Sequence, residues 1–273
     1  MELEQVNTRG LVLLGCGRMG SALLAGWLDR GLAPGSVWVI EPQPSDWLAA
    51  LAAQGLHLNA PLPAAPAVML VAVKPQMMSA ALPALAALGG GGTLLISIAA
   101  GTTIAAFEAA FGAATPVVRA MPNTPAAVGR GITALVGNAR ATADHLALAE
   151  TLLSAVGQVV RLPGEDLMDA VTAVSGSGPA YVFHLIEALA AAGTAQGLPP
   201  DLAMQLARAT IIGAGELAHR SPDSAERLRI NVTSPGGTTA AALAVLMDPD
   251  TGLPPLMRRA VQAAADRGRE LGK

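Results

Sequence analysis

The sequence predicts an α/β protein, with an N-terminal Rossmann dinucleotide-binding domain over residues 1–162 and a C-terminal all-helical dimerisation domain over residues 163–273. Three observations carry this. From Leu11 to about Arg161, short apolar runs of β type alternate with helical segments bounded by Gly and Pro, the pattern of βα units. The first of those runs feeds Gly15-Cys16-Gly17-Arg18-Met19-Gly20, a Gly-x-Gly-x-x-Gly turn that opens a helix. After Leu162-Pro163-Gly164 the strand signal stops and helical runs continue to the end.

In chain order, strands are expected at Leu11–Leu14, Val37–Ile40, Ala67–Val73, Leu94–Ile98, Val117–Ala120, Thr133–Val136 and Gln158–Arg161. The first five are apolar enough to be buried on both faces, as parallel strands are. Between them the spacing predicts helices at Met19–Arg30, Asp46–Gln54 behind an N-cap at Ser45, Ile104–Phe111, and Ala143–Val156 behind an N-cap at Thr142. The second domain is expected to hold helices at Asp166–Val174, Ala180–Gln196, Asp201–Leu217, Thr239–Met247 and Pro255–Leu271. Several are apolar around most of their circumference. From Tyr181 to Ala195 only His184 and Glu187 interrupt the apolar character, so a second copy of the chain is expected to cover part of this surface. Apart from Gly89–Gly92, no internal repeat or low-complexity segment is present.

The chain has 273 residues, 52% of them hydrophobic, which is ample for a buried core. Its net charge is −3 and no Lys/Arg cluster occurs, so neither nucleic acid nor an anionic membrane is an expected partner. Cys16 is the only cysteine, which excludes an intrachain disulfide and a cysteine-based metal site. The acidic start and the early glycines do not read as a signal peptide, and a cytoplasmic location is expected. His57, His145, His184 and His219 lack metal-ligand spacing, and no metal is expected.

In the glycine turn, Gly15 permits the tight bend, Gly17 lets the backbone approach a pyrophosphate, and Gly20 allows close helix-to-strand contact, with Arg18 and Met19 opening the helix. Cys16 reads as a small packing residue. Glu41 ends the second strand roughly 20 residues on, where an acid accepts hydrogen bonds from ribose hydroxyls and favours NADH over NADPH. Ala72-Val73-Lys74-Pro75 closes the third strand, Ala99-Ala100 follows the fourth, and Met121-Pro122-Asn123-Thr124-Pro125 follows the fifth. All three fall on the carboxyl edge where open α/β sheets bind ligands, and suit a floor for a nicotinamide; ordinary strand-to-helix loops are the bland alternative. Far along the chain, Val232-Thr233-Ser234-Pro235-Gly236-Gly237-Thr238-Thr239 sets a Gly-Gly turn and two hydroxyls at the start of an apolar helix, a cradle for a small anion such as a carboxylate. A dinucleotide site and a small-anion site in one chain read as a redox enzyme acting on a small acid.

Taken together, Gly15–Gly20, Ala72–Gln76, Arg119–Pro125, Ser175-Gly176-Ser177-Gly178-Pro179-Ala180-Tyr181 and Val232–Thr239 resemble the pyrroline-5-carboxylate reductases over about the whole chain. The resemblance implies NAD(P)H-dependent reduction of L-1-pyrroline-5-carboxylate to L-proline, the last step of proline synthesis. It implies that Ser234, Gly236, Gly237, Thr238 and Thr239 bind the substrate carboxylate, with the N–H groups of Gly237, Thr238 and Thr239 as donors. The Thr239 hydroxyl is then set near the ring nitrogen, and Asn59 against the adenosine ribose. It also implies a homodimer through the helical domain and, in many members, a ring of dimers, up to a decamer of five. Two departures stand out: Glu41 replaces the hydroxyl or basic residue of many NADPH-preferring relatives, and Ile230 replaces a frequent aspartate. Two rivals fit less well. A 3-hydroxyacid dehydrogenase needs a lysine that Ala180–Gln196 lacks, and a dinucleotide-sensing regulator does not need the anion cradle.

Overall fold

The computed structural model describes residues 2–272; Met1 and Lys273, the outer ends of the two expected domains, lie outside them. By compactness the chain divides into one unit that runs to Gly176 and takes in the segment from Ala264, and a second unit, Ser177–Ala263. Counted by strands, the first domain ends at Leu162. The helical turns that follow nonetheless belong to the sheet unit, because Met168, 1% exposed, is part of its core.

The first unit holds α1 (Glu2–Arg9), β1 (Leu11–Leu14), α2 (Arg18–Asp29), β2 (Val37–Ile40), α3 (Asp46–Ala52), β3 (His57–Leu58), β4 (Val68–Val71), α4 (Met78–Ala81) and β5 (Leu94–Ser97). It continues with α5 (Ile104–Phe111), β6 (Val117–Met121), β7 (Gly131–Gly137), α6 (Ala143–Leu153), β8 (Gly157–Arg161) and α7 (Met168–Val171). The sheet order is β3-β2-β1-β4-β5-β6-β7-β8, parallel except where β7 runs antiparallel to β6. β1 lies between β2 and β4, with Leu14 beside both Ile40 and Val71. The order in which successive strands are added therefore reverses at β1/β4, the crevice where doubly wound sheets take their ligands.

Alternate residues of β1 serve opposite layers. Leu11 and Leu13 join a core with Leu24, Trp27 and Leu152; Val12 and Leu14 join another with Leu85 and Phe107. Each fully buried side chain of this size contributes about 1.5–3 kcal/mol before entropy is counted. The indole of Trp27 keeps its polar atom satisfied by donating to Leu152 O at 2.8 Å. β1, β4 and β5 are buried along their whole length, as the apolar runs predict, whereas Trp38 and Ile40 of β2 are half-buried. Both lie at the margin of the layer that holds Leu85 and Phe107, and Trp38 stacks on His57 at 4.2 Å between ring centroids.

Five further features differ from the sequence expectation. The polar helix α1 is anchored mainly by Val6, a single fully buried residue that gives no periodic signal. β3 and the seven-residue helix Ala225–Asn231 are too short to stand out. The β4–β5 crossover is a broken series of turns over Pro75–Leu88, where prolines withhold N–H donors. The expected helix Asp166–Val174 is also broken, into a 3₁₀ turn (Glu165–Leu167), α7 and a π turn (Thr172–Gly176). There the hydroxyls of Thr172 and Ser175 bond back to Met168 O and Val171 O at 2.8 and 3.0 Å.

The second unit contains α8 (Gly178–Ala195), α9 (Pro200–Arg220), α10 (Ala225–Asn231) and α11 (Thr238–Leu246); the last helix, α12 (Leu253–Leu271), begins in it. α8 ends in a Schellman motif, with Leu198 N–H on Gly193 O at 3.2 Å, Gly197 N–H on Thr194 O at 2.9 Å, and Gly197 at φ 95°. The buried hydrophobics of this second unit among the described residues are Ala190, Ala203 and Ala207, while Phe183, Ile212 and Val245 are 60%, 66% and 70% exposed. Among the described residues, no helix is long and apolar enough to cross a membrane.

Candidate active site

The glycine loop takes the conformation its spacing requires. Gly15 sits at φ 89°, and a Cβ there would come 2.9 Å from Val73 Cγ1 and 3.0 Å from Ala72 O, so only glycine is tolerated. A Cβ on Gly20 would collide with the carbonyl oxygen of Gly15, whereas Gly17 faces open space within 4 Å. Gly17 is also the N-cap of α2 and offers no side-chain cap. The N–H groups of exposed Arg18, half-buried Met19 and Gly20 therefore have no carbonyl a turn behind them. An uncapped 12-residue helix facing an open glycine is a fit for a pyrophosphate.

Glu41, one residue beyond β2, reaches this loop. Its Oε2 accepts the Cys16 N–H at 2.8 Å, and its Oε1 accepts the Gln43 N–H at 3.1 Å. Asn59, at φ 50°, holds the main chain of Glu41 from both sides, accepting its N–H at 2.9 Å and donating to its carbonyl at 3.0 Å. Sequence reasoning missed this pairing, since 18 residues separate the partners and only the β2–β3 register unites them. Burial, and next the Glu41 carboxylate, push the Cys16 thiol up to about 11, so it is a protonated packing group.

Along the same edge, Ala72 N–H bonds Leu14 O at 2.8 Å, half-buried Val73 covers Gly15, and exposed Lys74 and Pro75 open the 3₁₀ turn that follows β4. Next along the edge are Ala99, 4% exposed, and half-buried Ala100, which follow β5. Asn123 is different. It is 9% exposed, and its amide accepts from Ile132 N–H at 2.9 Å and donates to Ser175 O at 3.1 Å, so in this structure it braces the loop after β6. A polar clamp that the sequence did not reveal lies nearby: Glu165 accepts from both Arg119 and the Ile104 N–H that begins α5.

In the helical unit, Ser234-Pro235-Gly236-Gly237 forms a turn with Gly236 at φ 70° and Gly237 N–H on Ser234 O at 3.0 Å, the Pro-Gly signature of type II. Because that bond uses the Gly237 N–H, the free donors shift one residue onward from the expected set. They are the N–H groups of Thr238, Thr239 and Ala240, which open the nine-residue α11 behind an N-cap, Gly237, without a side-chain cap. Thr239 is half-buried, and no group of the described residues bonds its hydroxyl. Ile230, 45% exposed, leaves the turn intact, since its carbonyl accepts Thr233 N–H at 3.0 Å. Among the described residues, no group of three or more His, Cys, Asp or Glu is placed to hold a metal ion.

Two families match two separate segments of the chain. Residues 10–101 match the family described as NADP oxidoreductase coenzyme F420-dependent, and residues 165–271 match pyrroline-5-carboxylate reductase dimerisation. The chain is 47% identical to a pyrroline-5-carboxylate reductase of Synechocystis sp. over 206 residues, 76% of this chain and 75% of that one. Its fold is similar to the structure of a pyrroline-5-carboxylate reductase from Coxiella burnetii, with a TM-score of 0.89 and 35% identity over 97% of this chain and 99% of that one. It is also similar to Plasmodium falciparum pyrroline carboxylate reductase with NADP bound, at a TM-score of 0.79 and 29% identity over 98% and 99% of the chains. At this identity and coverage, with a nicotinamide-type sheet unit and a dimerisation-type helical unit in one polypeptide, the chain belongs to the pyrroline-5-carboxylate reductase family.

Proposed function

We propose that the protein reduces L-1-pyrroline-5-carboxylate to L-proline with NADH or NADPH, the last step of proline synthesis, in the cytoplasm. The observation that carries this reading is the uncapped start of α11, where three consecutive N–H groups and an unpartnered hydroxyl stand together. Residues 1–162 take the dinucleotide and residues 163–273 take the substrate and a second copy of the chain. A homodimer is supported by the dimerisation match and the apolar surface of α8 and α9; the resemblance extends this to a decamer of five dimers.

When bound, the dihydronicotinamide supplies hydride from C4 to the imine carbon of the ring. The chain's own part is to orient and to manage charge. Gly15, Gly17, Arg18, Met19 and Gly20 cradle the pyrophosphate; Glu41 and Asn59 lie at the ribose end; Ala72, Val73, Lys74, Pro75, Ala99, Ala100 and Asn123 form the floor of the crevice. Ser234, Gly236 and Gly237 shape the turn that lets the N–H groups of Thr238 and Thr239 hold the substrate carboxylate, while the Thr239 hydroxyl bonds the ring nitrogen and assists its protonation. Glu41 favours NADH, since a carboxylate fixed on the loop repels a 2′-phosphate.

The test is absorbance at 340 nm with L-1-pyrroline-5-carboxylate and each cofactor in parallel, with proline measured as product. Oxidation of cofactor with matching proline is expected, faster with NADH. Binding of both cofactors without oxidation would exclude the reductase reading.

A further inference from the structure

We infer that Asn59 is a positioning residue for cofactor discrimination, acting through Glu41; this rests on the reading that Glu41 sets the preference for NADH. The geometry behind it is a closed set of four hydrogen bonds. Asn59 Oδ1 accepts the Glu41 N–H at 2.9 Å and Asn59 Nδ2 donates to the Glu41 carbonyl at 3.0 Å, so one amide fixes both faces of the residue that follows β2. The Glu41 side chain is held in turn by the N–H groups of Cys16 and Gln43, at 2.8 and 3.1 Å. Asn59 is itself seated by its own N–H on Val39 O at 2.8 Å.

The backbone conformation of Asn59 suits this arrangement. Asn59 is the non-glycine residue at positive φ among the described residues, at 50°. That conformation is costly for most side chains and tolerated by Asn, whose amide folds back onto nearby main chain. Both Glu41 and Asn59 lie on segments that pairing of β2 with β3 brings side by side, through Val39 and Leu58. Without the amide, the carboxylate keeps its two N–H partners but loses the fixed main chain from which it is aimed, and Gln43 lies in an exposed stretch without strand partners. A direct contact of Asn59 with the 3′-hydroxyl would act alike on NADH and NADPH, and a direct contact at the 2′ position would shift the ratio even in the absence of the Glu41 carboxylate. A residue acting through Glu41 changes the ratio between them.

The experiment is fluorescence titration of NADH and of NADPH onto the purified protein, giving Kd for each without turnover, for wild type, Asn59→Gly, Asn59→Asp, Glu41→Ala and the double variant Glu41→Ala/Asn59→Gly. Glycine keeps the positive φ free of strain, and aspartate keeps the acceptor while losing the donor, so a folded protein is available from at least one, checked by thermal melting. Expected is a fall in the Kd(NADPH)/Kd(NADH) ratio of about tenfold in Asn59→Gly, the scale of two neutral hydrogen bonds, with a smaller fall in Asn59→Asp. The double variant should show the same ratio as Glu41→Ala alone. Equal weakening of both cofactors by Asn59→Gly, or multiplying effects on the ratio in the double variant, would overturn the inference. If Glu41→Ala shifts the ratio and neither Asn59 variant does, the inference alone fails; if Glu41→Ala leaves the ratio unchanged, the reading of Glu41 fails and the inference falls with it.

Discussion

The guanidinium Nη1 of Arg119 lies 2.6 Å from Oε1 of Glu165, and the same oxygen accepts the Ile104 N–H at 2.9 Å. One carboxylate thus ties together β6, the first residue of α5 and the 3₁₀ turn after β8. The Arg119 side chain is 6% exposed, so removal of its partner strands a buried charge, while the 29% exposure of Glu165 lets some water in. Glu165→Ala should therefore cost about 2 kcal/mol of stability, below the 3–5 kcal/mol of a fully buried pair. Urea unfolding measures it, and an unchanged midpoint would show that Arg119 finds another partner.

Thr239→Ala removes a hydroxyl that no described group of the protein bonds, so its loss should leave folding intact. If the hydroxyl stabilises the developing amine, turnover should fall roughly ten- to a hundred-fold, equivalent to about 1–3 kcal/mol in the barrier. Thr239→Ser should restore most of the rate. Wild-type kcat in the alanine variant would remove Thr239 from the chemistry.

The parts of this architecture that were legible in the sequence are those with local causes. Strand runs such as Leu94–Ser97 announce themselves by apolar composition, and N-caps at Ser45 and Thr142 are confirmed by their bonds to Leu48 and His145 N–H. The tight bend at Gly15 and the close packing at Gly20 follow from spacing alone. What escaped has non-local causes. Asn59 meets Glu41, and Glu165 meets Arg119, only after strands have paired across 18 and 46 residues. Asn123 illustrates the converse: its place on the sheet edge is readable, but the engagement of its amide by Ile132 and Ser175 is not.

Cys16 offers a probe of the same loop. Its thiol is held up at about 11 against an ordinary 9.0, first by burial and then by the Glu41 carboxylate, so its thiolate fraction near neutral pH is about a hundredfold below that of a free thiol. Alkylation by iodoacetamide should be correspondingly slow and should accelerate as pH rises towards 11. Glu41→Gln removes the smaller of the two causes and should speed labelling without reaching the rate of an exposed cysteine. Labelling of the wild type at the free-thiol rate would contradict the burial.

The pair Glu150–Arg161 makes a pH prediction for α6 and β8. Arg161 Nε and Nη2 meet the two carboxylate oxygens at 2.5 and 2.8 Å, and chiefly this hydrogen bond lowers the Glu150 pKa below its ordinary 4.5. A carboxylate depressed in the folded state contributes stability above its unfolded pKa and loses it as pH falls through the folded value. Wild type should therefore melt slightly above Glu150→Gln at pH about 7, with the gap closing as the pH falls from 4.5 through the lowered value of Glu150; the gap is small because the pair is solvated. A gap that widens on acidification would reverse the assigned sign.

The helical unit buries only alanines among its hydrophobic side chains in the described residues, at Ala190, Ala203 and Ala207, so a single copy cannot hold these helices together by its own core. Phe183 on α8 is 60% exposed and lies with Val182, Leu185 and Leu189 on a helix with few charges. Light scattering of the wild type should give a mass of at least two chains, and melting should rise with protein concentration, as mass action requires of a folded oligomer. Phe183→Asp places a charge in the middle of that surface and should shift the mass towards one chain, lower the melting temperature and abolish its concentration dependence. A wild-type mass of one chain at every concentration would mean that these apolar faces are tolerated in water. The homodimer reading would then fail independently of the chemistry at Thr239.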